Sequence, residues 1–158
     1  MDDADVVSWQ LGRPARALER VAVRCPYGFP AVTEQAPFGA NGEPFPTTFY
    51  LTCPWLVAAV SRVEAAGGVE RFTQAASDDP VLGASLARAD AEQRRIRPEL
   101  DVGIAGTRDP RRLKCLHAHA AFALARPGYE LGEKIIDAAG ERWCPDARCR
   151  SGEASEES

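Results

Sequence analysis

The chain changes character at Thr52. Before it lie short β-branched and aromatic runs separated by turn residues; after it come helical segments punctuated by proline and glycine. Residues 47–52 form the clearest strand, with 19–24 and 31–35 as its companions. Between the first two, Pro26 sets a turn and Gly28 supplies a positive φ. Asn41-Gly42 is a hairpin signal ahead of the third strand. Pro54 suits the first position of a helix over residues 55–66, which Gly67 ends. Further helices are predicted over residues 69–76, over 80–96 behind the Asp79-Pro80 start, over 110–125 behind Asp109, and over 131–139 up to Gly140. Strands first and helices after predict an α+β fold: a small antiparallel three-stranded sheet in the N-terminal half, covered on one face by about five helices.

With 158 residues, one domain is expected. The reading assigns residues 1–8 to a flexible N-terminus, 9–142 to a single globular domain, and 143–158 to a polar, cysteine-containing tail that is largely disordered. A net charge of -4 argues against a general nucleic-acid binder. No apolar run approaches the roughly 20 residues of a membrane span, so no membrane partner is expected. The acidic start lacks the basic and apolar regions of a signal peptide, and the expected compartment is the cytoplasm. Thiols stay reduced there, so a set of cysteines signals metal binding or reactivity. The count of five also rules out complete internal pairing.

Three of the five cysteines are followed directly by proline: Cys25, Cys53 and Cys144. In an up-down-up meander the first and third strands run the same way. Cys25 and Cys53 then end on one edge of the sheet, roughly 10 Å apart. Cys53 also opens a helix, whose N-terminus favours a thiolate. On a helix over residues 110–125, at about 100° per residue, Cys115 and His119 share a face, Arg111 and Arg112 lie one turn earlier, and His117 points away. The expectation is a three-cysteine site of Cys25, Cys53 and Cys115, with His119 as fourth ligand. Soft thiolates imply zinc or an iron-sulfur cluster as cofactor. Arg24, Arg111, Arg112 and Lys114 would form a basic rim that accepts a small anionic ligand, unless they are a solvated charged face.

Two other readings stand beside this one. The thiols are simply buried, reduced and structural in a non-enzymatic interaction protein, whose residues 82–96 would face a protein partner. Alternatively the chain is a thiol oxidoreductase centred on Cys53. Cys144 and Cys149 read as an unpaired couple near the tail. No phosphate-binding glycine loop, no GxSxG and no HExxH is present, so the sequence names no reaction and no catalytic residue.

Several short segments occur together in order: Gln10-Leu11-Gly12-Arg13, Cys25-Pro26-Tyr27-Gly28, Pro44-Phe45-Pro46-Thr47, Cys53-Pro54, Gly103-Ile104-Ala105-Gly106 and Lys114-Cys115-Leu116-His117-Ala118-His119. From about Val6 to Ile136 the chain resembles the bacterial family known as domain of unknown function 501. The resemblance implies that the segments around Cys25, Cys53 and Cys115 are family signatures. It carries no activity with it, and it leaves Cys144 and Cys149 outside its span.

Overall fold

A computed structural model describes residues 2–152. Three strands, β1 (Leu18–Arg24), β2 (Pro30–Gln35) and β3 (Phe49–Leu51), form one antiparallel sheet in the order β1-β2-β3. The helices are α1 (Asp3–Leu11), α2 (Pro54–Ala65), α3 (Gly68–Asp78), α4 (Pro80–Ile96), α5 (Leu116–Ala125) and α6 (Glu130–Ala139), with a 3-10 turn at Ile104–Gly106. The expected α+β meander is therefore the fold.

The expected loose N-terminus is instead α1. Asp2 caps it by accepting from the Asp5 amide at 3.0 Å, Val6 and Val7 are buried, and Gly12 closes it in the left-handed region at φ 71°. All six residues of β2 are buried. Successive strand side chains point to opposite faces, so the central strand is covered on both faces, while the edge strand β1 keeps exposed residues. The core joins β2 and β3 to α2, α4, α5 and α6, and α5 lies at its centre with seven of its ten residues buried.

Helix α5 starts six residues later than the proline rule predicts. The Asp109 carboxylate accepts from the Arg111 amide at 3.0 Å, which closes a local turn instead of a helical one. Thr73 of α3 then takes the Leu113 amide at 3.2 Å. Cys115 is left in an extended conformation (φ -148°) as the residue before the helix. The first helical amide, that of Leu116, donates to Glu64 Oε2 of α2 at 2.8 Å, so a neighbouring helix supplies the missing cap.

The segment after α6 packs where a disordered tail is expected. Cys144, Ala147 and Cys149 are buried, Trp55 Nε1 donates to the Glu141 carbonyl and Tyr27 Oη to the Cys144 carbonyl, each at 2.8 Å. Residues 153–158 of that expected tail lie outside the described residues.

Candidate functional site

The sequence-predicted site residues fall into three separate places. Cys25 and Cys53 do meet, and they line one small cavity together with Cys144, Cys149, Tyr27 and Trp55. Cys115 does not line it. It stands instead with His117 and Glu64, near the far end of α2 from Cys53; eleven residues of helix separate those ends by roughly 16 Å. His119 belongs to neither group. It is buried in α5, its Nδ1 lies 2.7 Å from the Tyr129 hydroxyl, and burial lowers its pKa to about 4. Tyr129 is pushed well above its ordinary value by burial, with the Asp90 charge adding to it. His119 is thus a buried neutral side chain held by Tyr129.

Among the described residues, Glu64, Cys115 and His117 form the group whose ligand atoms all lie within 4.8 Å of one another. His117 Nδ1 sits 3.8 Å from Cys115 Sγ and 3.4 Å from Glu64 Oε1. Its Nε2 is 3.2 Å from the Val57 carbonyl and 3.0 Å from Ser61 Oγ. A carbonyl only accepts, so Nε2 carries a proton; in the neutral imidazole Nδ1 then turns a lone pair toward the sulfur and the carboxylate, and in the imidazolium it donates to them. Glu64 is fixed in turn by the Leu116 amide on its other oxygen.

Burial pushes the Cys115 thiol up, but the His117 hydrogen bond, the Ala118 amide and the His117 charge together bring it below its ordinary value. His117 is raised, first by the Cys115 hydrogen bond, against burial, and then by the Glu64 charge and the Val57 carbonyl. The predicted exclusion of His117 fails because Cys115 lies outside the helix, where the helical angle does not apply. Glu64 escaped sequence reasoning altogether, since only the packing of α2 against α5 brings it in.

The basic residues do not form one rim. Arg24 is forked onto the Asp3 carboxylate at 2.7 and 3.1 Å. Arg111 bonds Asp109, while Arg112 and Lys114 line an open groove with Glu70, Thr73 and Gln74 of α3. Four of the charged residues of α4 are committed within the chain. Arg88 pairs with Glu130, Glu92 with Arg126 and Arg94 with Asp101, and Asp90 is buried with one oxygen on the Ile104 amide. Another groove of about 250 Å³, lined among others by Arg13, Arg16, Phe45 and Tyr50, holds none of the cysteines or histidines.

A family model described as "Protein of unknown function (DUF501)" matches residues 21–101, just over half of the chain. The chain belongs to the DUF501 family. The DUF501 match takes in Cys25, Cys53 and Glu64 and ends before Cys115. No curated protein and no solved structure matches the chain. No helix among the described residues is long and apolar enough to cross a membrane.

Proposed function

We propose that this DUF501 protein is a metal-binding protein whose working site is Glu64, Cys115 and His117, holding one zinc-class divalent ion with a fourth position open. The observation that carries the reading is the spacing of the three ligand atoms. With bonds of about 2.3 Å to sulfur and about 2.0–2.1 Å to nitrogen and oxygen, a tetrahedral ion sets sulfur and nitrogen about 3.5 Å apart and nitrogen and oxygen about 3.3 Å apart. The corresponding distances here are 3.8 and 3.4 Å. The groups behind the ligands also suit a metal: Val57 orients the imidazole through Nε2, and the Leu116 amide orients the carboxylate.

Three protein ligands leave room for a water, and a bound ion lowers the pKa of such a water to about 7. Arg112 and Lys114, just before Cys115 in the chain, give an anionic ligand a place to approach. A second reading, a nucleophilic thiol at Cys115, is favoured by the lone pair that His117 Nδ1 turns toward Sγ.

Cobalt(II) titration separates the two. Metal binding gives a sulfur-to-cobalt charge-transfer band and a tetrahedral visible spectrum that weaken in His117→Ala and Glu64→Gln. Spectra identical in wild type and both variants would refute the metal reading. Metal-independent alkylation of Cys115 would then support the thiol one.

A further inference from the structure

We propose that Cys25, Cys53, Cys144 and Cys149 form a second, closed metal centre, which binds one tetrahedral zinc-class ion through four thiolates and fastens the segment after α6 to the end of the sheet. It uses none of the residues of the Glu64 site, so the two readings stand or fall separately.

Four of the chain's five cysteines converge on one cavity from three distant stretches: the β1–β2 turn, the start of α2, and the C-terminal segment. Buried thiols need no such convergence, since free cysteines are found throughout protein cores. All three Cys-Pro steps of the sequence end here. After each of these cysteines, proline removes a backbone donor and fixes φ. The two loops turn through left-handed residues, Gly28 at φ 89° and Ala147 at φ 46°. Alanine is rarely placed there, and this one lies between Cys144 and Cys149.

A donor already reaches one of the sulfurs: Gln10 Nε2 lies 3.3 Å from Cys149 Sγ while also bonding the Pro30 carbonyl at 2.8 Å. Such N–H···S bonds are strongest when the sulfur carries charge.

The size of the cavity decides between cofactors. It holds about 10 Å³, room for a single water-sized sphere, which fits one ion and not a cuboidal iron-sulfur cluster. The sulfurs stand wider here than the 4.8 Å mutual spacing of the Glu64 group. Four bonds of about 2.3 Å would draw them to about 3.8 Å of each other. Binding releases the thiol protons to solvent. A site with four protein ligands has no open position, so its role is to hold structure.

The test uses the full chain carrying Cys115→Ser, which leaves this centre intact. After zinc loading and desalting it should retain about one zinc ion per chain. Cys144→Ser in the same background should lower zinc affinity by more than the roughly 100-fold that loss of a supporting partner costs. A mercurial reagent provides a check that does not depend on a variant's folding: it should release the zinc as it consumes thiols. Zinc should also slow tryptic cleavage after Arg142 and Arg148. A folded Cys115→Ser chain that retains no zinc, or thiols that react equally fast with and without zinc, would overturn the proposal. Zinc lost only from His117→Ala would do the same while leaving the first site standing.

Discussion

Cys115 Sγ lies 3.8 Å from Nδ1 of His117, two residues along the chain, because Cys115 stands in extended backbone immediately before the helix that contains His117. Inside one regular helix, residues two apart diverge by about 200°. One residue outside the helix, the sulfur folds back over its first turn. The imidazole and the Glu64 carboxylate then converge on the sulfur.

That convergence predicts an order of thiol reactivity in metal-free protein. Cys115 is held below its ordinary pKa, while burial holds Cys53 and Cys149 above theirs. Only the thiolate is nucleophilic. Iodoacetamide at pH 7 should therefore modify Cys115 several-fold faster than Cys53 or Cys149, read by peptide mass spectrometry. His117→Ala should slow Cys115 and leave the other two unchanged. Equal rates at all three would show that the imidazole does not act on the sulfur.

His119 predicts an acid limit to stability. Burial depresses its folded pKa from 6.5 to about 4, so the folded state binds its proton less readily than the unfolded chain. Stability from this group is complete above pH 6.5 and is lost as pH falls from there toward 4. A depression of this size corresponds to about 3 kcal/mol at the acid end. Urea unfolding of wild type and His119→Gln between pH 8 and 4.5 isolates it. Wild type should lose stability faster as pH falls, and parallel curves would mean that His119 is not buried neutral.

Helices α5 and α6 pack too closely for any side chain at Gly132. A Cβ there would lie 2.6 Å from Ala123 Cβ, 2.7 Å from the Tyr129 ring and 3.0 Å from the His119 carbonyl. Alanine gains about 1 kcal/mol in helix propensity over glycine. Overpacking costs about 1–3 kcal/mol, and the backbone carbonyl leaves little room to yield. Gly132→Ala should therefore destabilise by about 1–2 kcal/mol in chemical denaturation, and a gain in stability would place α6 farther from α5.

The sequence made the sheet legible because its strands are β-branched and its turns carry Pro26, Gly28 and Asn41-Gly42. The meander alone was enough to set Cys25 and Cys53 on one edge. What it hid lies in packing between distant segments. Asp109-Pro110 looks like a helix start, but the Asp109 carboxylate closes a local turn, and this shifts Cys115 from one helical face to a position beside His117. Glu64 reaches that point across 52 residues through its bond to the Leu116 amide. Cys144 and Cys149 sit in a polar stretch without apolar periodicity. Their burial rests on Tyr27, Trp55 and Gln10, none of which marks a C-terminal partner in the sequence.

The end of α4 is tied to the sheet by Arg97. Its Nη2 donates to the Gln35 carbonyl at 2.6 Å and lies 3.4 Å from Glu34 Oε2, with both side chains nearly buried, at 11% and 12% exposure. Glu19 adds a longer contact at 3.5 Å from the surface. Removing one member of a buried pair costs about 3–5 kcal/mol, because the other is left charged and unpaired. Here the loss is smaller, since Glu34 keeps a second partner in Arg20, whose own side chain is 60% exposed. Arg97→Ala should thus destabilise by about 2 kcal/mol. Arg97→Lys should recover only part of that, because an ammonium keeps the charge but lacks the planar fork. In a double-mutant cycle with Glu34→Gln, a coupling on the order of 1 kcal/mol is expected. Additive effects would show that Arg97 acts through the Gln35 carbonyl alone, and the anchor would then be a backbone hydrogen bond instead of an ion pair.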